Sequence, residues 1–335
     1  MFCIQSTSIG HADPAYHFLK EITVGGEGGW DYLSIDQAAR RLYVAHATKI
    51  VVIDIDKDAV VGEIDDTPGV HGFAIAPDLQ RGFSSNGKES KAGIVDLKTL
   101  KILSKVDTGE NPDAILYASR QHEVYTFNGH GQSATVFDAL SGKIVATIPV
   151  PGKPEFAAYD PGTGLVYDNI EDKNVVIVID AKSHQIIHTW PIAPGTEASG
   201  MAIDLDHHRL FIGCHNHLML MMDSVTGKVI ASVPIDQGVD ANAFDSGTQL
   251  AFSSNGEGTL TVAHEETPDK LTVIQNLKTQ HGARTMALDP QTHKIYLATA
   301  QFEAASALVP ATPSTTPPGR PKIVPGTFKI LVYGM

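Results

Sequence analysis

"RLYVAHATKIVVID", residues 41 to 54, holds two short runs of β-branched and aromatic residues around a polar break. It reads as one β-strand, a tight turn and a second strand, with His46 closing the first. The same unit recurs along the chain. First strands open on "GGWDYLSID", "GVHGFAIAP", "NPDAILYA", "KPEFAAYDP", "EASGMAIDL", "VDANAFDSG" and "GARTMALDP". Second strands read "RLYVAH", "RGFSSN", "EVYTFN", "LVYDN", "RLFIGC", "QLAFSSN" and "KIYLAT". Third strands close on Asp54, Asp96, Asp138, Asp180 and Asp223, with His264 in the sixth copy, so successive units lie 41 to 43 residues apart.

Seven units of four short strands at a period near forty predict an all-β, seven-bladed β-propeller with antiparallel blades. The last unit supplies three strands and stops at Met335, while "YHFLKEITVGG" (16–26) matches the fourth-strand pattern of "GKIVATIPVPG" (142–152). The N-terminal strand is therefore expected to complete blade seven, leaving no open edge. Residues 1–15 read as a tail or processing remnant and 16–335 as a single domain. The period is broken at 301–326 by "QFEAASALVPATPSTTPPGRPKIVPG", a Pro-rich insertion that is either a solvated loop or a flap over the adjacent face.

The "LYVA", "IVVID" and "TGKVIASVPI" cadence resembles the YVTN-repeat, YncE-like family of seven-bladed propellers. That resemblance implies the ring fold and an exported, periplasmic or secreted location. It implies no single activity, since the repeat residues are structural and a fold does not fix a function.

A formal net charge of −13, with dispersed Lys and Arg, argues against nucleic acid as a partner. No apolar run is long enough to span a bilayer. Cys3 and Cys214 form neither a disulfide framework nor a Cys-based zinc site. The partners that fit are a small molecule or a protein loop, with the chain acting as a monomer.

In an antiparallel meander the start of strand one and the end of strand two share a face. Strand one is innermost, so its opening residues ring the mouth of the central channel: Asp31, His71, Asp113, Glu155, Ser199, Asp240 and Arg284. The strand-two ends give a companion set of His46, Asn86, Asn128, Asn169, Cys214, Asn255 and Thr299. Asn86, Asn128 and Asn255 precede Gly, which is turn chemistry as readily as ligand binding. His46 precedes Ala47 and has no such turn role, so it is expected to converge with His71 and Asp31. His215 and His217, two apart in "GCHNHLML", add a pattern that ligates copper or zinc when it lies on a strand end. His130 and His281 fall on the same face, and His122, His184, His207, His208, His264 and His293 on the opposite one.

Nucleophile-elbow, H-E-x-x-H, P-loop and dinucleotide motifs are absent from the sequence. Two function classes follow. The first is a propeller that binds a small ligand or partner loop at the channel mouth, using Trp30, Asn86, Asn128, Asp113, Asp240 and His281. The second is a metal-dependent lactonase, lyase or oxidase. It would hold a divalent ion such as Cu or Zn on His46, His71, His215 and His217, with Asp31 and Glu155 as base or ligand and Arg284 on an anionic substrate group. Mouth substitutions are expected to cost on the order of 1 kcal/mol or less, as for surface positions.

Overall fold

The computed structural model describes residues 15–303 and 322–335. Nearly all of the expected N-terminal tail and the middle of the 301–326 insertion lie outside the described residues. Seven four-stranded antiparallel sheets form a ring, and in six of them the sheet order is the order of the chain. The inner strands are Trp30–Asp36, Val70–Ala76, Pro112–Ala118, Pro154–Asp160, Ala198–Asp204, Val239–Asp245 and Met286–Asp289. Blade seven is completed from the other end of the chain: His17–Thr23 pairs antiparallel with Lys329–Gly334, His17 opposite Gly334 and Thr23 opposite Lys329.

Second and third strands are buried almost throughout, because each is covered by neighbouring blades on both faces. Fourth strands are largely exposed, as in Ala59–Ile64. The apolar clusters span blade junctions; one joins Ile22, Tyr296, Phe328 and Ile330 of blade seven to Trp30, Leu42, Val44 and Val51 of blade one. Burial of such side chains at about 25 cal/mol per Å2 is the main stabilising term.

The Asp that marks each period has a local cause. Asp54 Oδ1 accepts the amides of Asp56 and Lys57, and Asp96 and Asp223 accept those of Lys98 and Thr99, and of Val225 and Thr226. Each carboxylate thus closes the turn into strand four. In the "GGEGG" connection into the first inner strand, Gly25, Gly26 and Gly28 all have positive φ. Gly26 is also sterically required, since a Cβ there would lie 2.9 Å from His46 Cε1.

Between its ends the insertion is pinned by a bridge of Phe302 with Ile323, and Glu303 N donates to Lys322 O at 2.7 Å. Among the described residues no helix is long and apolar enough to cross a membrane.

Candidate functional site at the channel mouth

The inner strands of blades one to six each carry a register shift at their start, for example between Trp30 and Leu33 and between Pro112 and Ile115. Asp31, His71, Asp113, Glu155, Ser199 and Asp240 sit in these bulges, whose extra residue re-aims a side chain. Arg284 occupies the matching place in blade seven, in the loop before Met286. The result is a cavity of about 340 Å3 lined by Asp31, His71, Asp113, Glu155, Asp240 and Arg284, together with Tyr32, Lys153, His215, Gly238 and Val239. Tyr32, packed edge-on against Phe156, also lines a smaller cavity of about 110 Å3 that contains Gly72 and Ala157.

The wall is braced from behind. Ser85 Oγ donates to Asp113 O at 2.5 Å, Asn169 Nδ2 donates to Ser199 O at 2.7 Å, and Ser254 Oγ donates to Arg284 O. In each case the next-to-last residue of a second strand holds the mouth residue of the following blade. Register explains why Asn169 belongs here and not among the strand-two ends: Ile170, opposite Pro154, takes that place.

Charges are coupled around the ring. His71 Nδ1 is hydrogen-bonded to Asp31 Oδ2 at 2.7 Å and lies 3.6 Å from Asp113 Oδ1. Arg284 Nε donates to Asp240 Oδ2 at 2.5 Å, its Nη2 donates to Trp30 O at 3.2 Å, and Ser199 Oγ donates to Asp240 Oδ1 at 3.1 Å. Lys153 Nζ lies 3.0 Å from Glu155 Oε2 and also pairs with Glu171.

Burial disfavours a charged imidazole, but the Asp31 hydrogen bond and the Asp113 and Asp31 charges outweigh it and raise His71 to about 9. Burial, then the charges of Asp31 and Asp240 against the relief from His71, pushes Asp113 up to about 7. Burial and the Asp113 charge push Glu155 up to about 8. Behind Glu155, burial and the Glu155 charge raise Asp168 well above the usual carboxylate range, and neither of its oxygens has a partner. The mouth therefore has an excess of negative groups held at close quarters.

The other expected residues lie elsewhere. His46 is 1% exposed, with its ring stacked on Phe328 at a centroid distance of 4.2 Å. It is buried at the junction of blades one and seven and does not join His71 and Asp31. The third residue of that cluster is Asp113, whose carboxylate, with Asp31 and His71, offers donor atoms within 4.8 Å of one another.

Trp30 is packed between Phe328 and Phe302, not on the cavity. His281 is exposed, edge-on to Phe302. The strand before His215 and His217 ends at Cys214, and His217 takes a left-handed φ of 65°, so the pair does not share a strand face. Only His215 reaches the rim, with Nδ1 3.8 Å from Glu171 Oε1.

Nor do Asn86 and Asn128 form two-residue Asn-Gly turns, since neither has positive φ. Asn128 Nδ2 donates to Ser133 Oγ and Thr135 Oγ1, and Asn255 does the same to Thr259 and Thr261. Asn86 Nδ2 donates to Glu89 Oε1 at 2.8 Å. An Asn ends strand two where strand three offers Thr135, Thr261 or the space at Gly93. Where strand three offers Val51, Ile177 or Leu220, the position holds His46, Ile170 or Cys214.

Lys153 and Tyr32 were not anticipated. Lys153 directly precedes Pro154, one step outside the opening, and Tyr32 follows Asp31 within the bulge; both were legible only if the bulge was.

Comparison with solved structures finds "Kuenenia stuttgartiensis Hydrazine Synthase" at a TM-score of 0.71 and 14% identity, covering 88% of this chain and 96% of that one. At that identity the likeness establishes the seven-bladed propeller fold alone. No family model and no curated protein matches the sequence.

Proposed function

We propose that this propeller binds a small ligand bearing a cationic group, such as an ammonium, in the carboxylate-rich mouth of its central channel. The observation that carries the reading is the placement of Asp113 and Glu155. Glu155 is buried and Asp113 nearly so; the Asp113 charge raises the affinity of Glu155 for a proton, and the Asp31 and Asp240 charges raise that of Asp113. A cation between them would take the place of those protons and relieve the repulsion. Lys153 and Arg284 are already paired with carboxylates, so an anionic ligand would have to displace them.

A metal-dependent enzyme at the same place is the second reading, favoured by the proximity of Asp31, His71 and Asp113. It ranks lower because the Asp31 hydrogen bond occupies His71 Nδ1, the atom that would ligate Zn or Cu. The proposal includes an exported, YncE-like propeller, supported by the repeat cadence, and fractionation of the native host tests the location.

Calorimetric titration near neutral pH with a series of primary and quaternary ammonium compounds, matched carboxylates, Zn2+ and Cu2+ tests both readings. Saturable binding of an ammonium compound, weakened at least about tenfold in Asp113→Asn and Glu155→Gln, is expected; a tenfold loss corresponds to about 1.4 kcal/mol. Preference for the carboxylates would refute it. Stoichiometric Zn2+ or Cu2+ lost on His71→Asn, without ammonium binding, would put the metal reading in its place.

A further inference from the structure

On the face opposite the channel mouth, the last residue of several inner strands is an Asp whose Oδ1 accepts an amide of the following turn. Asp245 accepts from Gly247, Asp289 from Gln291 and Asp204 from Asp206. In two of these the second carboxylate oxygen meets a basic side chain from the next blade. Asp289 Oδ2 accepts from Arg40 Nη2 at 2.8 Å, and Asp245 Oδ2 lies 2.6 Å from His293 Nδ1.

At the junction of blades five and six this arrangement changes. The residue at the Arg40 and His293 position is Gln249, whose Nε2 donates to Ser246 O instead. Facing Asp204 is Glu265, at a third-strand position that holds Ile55, Leu97, Ala139, Ala181 or Ser224 in sister blades. A second carboxylate stands where the repeat elsewhere puts an apolar or small side chain.

Glu265 is 3% exposed and Asp204 1% exposed. Both Glu265 oxygens and Asp204 Oδ2 are buried without a hydrogen-bond partner. His207, on the turn after Asp204, directs Nδ1 inward to within 2.8 Å of Asp204 Oδ2 and 3.4 Å of Glu265 Oε1. Neither approach has hydrogen-bond geometry, since His207 Nδ1 is itself unpartnered. The three atoms lie within 4.8 Å of one another. Ligands about 2.0 to 2.2 Å from a common ion are separated by about 3 to 3.5 Å, and the two approaches of His207, at 2.8 and 3.4 Å, lie near that spacing.

We propose that Asp204, His207 and Glu265 form a binding site for one divalent first-row transition ion that joins blades five and six. Two carboxylates and a neutral imidazole balance a dication and suit zinc or manganese. The ion takes the place that the basic side chains of Arg40 and His293 fill at their junctions. This site is separate from the channel mouth and independent of the ligand bound there.

The test uses the full chain with His71→Asn, which removes the only imidazole of the mouth cluster. After chelator treatment and titration with Zn2+, one equivalent is expected to be retained by equilibrium dialysis and elemental analysis. Adding His207→Asn should weaken binding at least about tenfold. That side chain is 37% exposed on a turn, so its replacement leaves the core packing in place. Zn2+ should also raise the melting temperature of the wild type but not of Glu265→Gln. No retained equivalent, retention unaffected by His207→Asn, or an unchanged zinc-dependent melting shift in Glu265→Gln would each overturn the site.

Discussion

His71 Nδ1 and Asp31 Oδ2 meet at 2.7 Å across the junction of blades one and two, while the same nitrogen lies 3.6 Å from Asp113 of blade three. One imidazole thus ties together three consecutive blades at the channel mouth.

That tie predicts loss of stability in alkali. An unfolded imidazole titrates near 6.5, whereas Asp31 and Asp113 outweigh burial and hold folded His71 near 9. The stabilisation is complete below the unfolded value and disappears as pH rises through about 9. Its size is on the order of 2 kcal/mol, allowing for the quarter of the side chain that is solvent-exposed. Denaturant melts of wild type and His71→Gln should show a wild-type advantage at mildly acidic pH that shrinks towards zero in alkali. A gap independent of pH would contradict the assignment.

Removing Arg284 leaves Asp240 half-buried without its cation. Arg284→Ala is expected to cost about 2 kcal/mol, below the usual cost of breaking a buried pair because the guanidinium keeps some solvent contact. Arg284→Ala with Asp240→Asn should recover most of that loss. Equal stability of the single and double variants would show that the pair is not coupled. The paired, partly buried ring is why mouth substitutions should exceed the surface-like cost expected from the sequence.

For His46 the direction is opposite to that for His71. Burial, then the Lys49 charge, lowers its pKa below 6.5, so the folded chain keeps a neutral ring. Its contribution is present above the unfolded value and is lost as pH falls through the folded one. His46→Leu should therefore lose less stability than wild type on going to mild acid, with ligand binding at the mouth unchanged. Weakened binding would place His46 in the site after all.

Deleting residues 17–24 should unfold the ring cooperatively or drive it to associate through the strand Lys329–Gly334, which would lose its partner. Thermal melts and sedimentation would report either result. A monomer melting like wild type would show that blade seven is stable with three strands.

The ring was legible in the sequence because seven copies of "LYVA"-type strands fix both period and pairing, and the fourth-strand likeness of residues 16–26 fixes closure. The mouth positions 31, 71, 113, 155, 240 and 284 followed from register alone. Side-chain direction did not. His46 and Trp30, paired with each other beside the mouth residue Asp31, lie on the mouth face of blade one, yet Phe328, which arrives from the far end of the chain, covers both. The Asn-Gly pairs suggested two-residue turns, but each Asn ends its strand and the connections are longer, with Asn128 and Asn255 bonded through their side chains to strand-three threonines. No local pattern betrays a bulge, so the roles of Lys153 and Tyr32 became visible only in three dimensions.

Asp31, His71, Asp113, Glu155 and Asp240 each enter the mouth cavity from their own blade at one repeated bulge. Chemistry at the mouth is therefore addressable one blade at a time, as digits in a positional code. A change at 113 rewrites one digit while the backbone braces from Ser85, Asn169 and Ser254 keep the remaining places in line. Divergence among such rings can explore ligand preference combinatorially without renegotiating the fold.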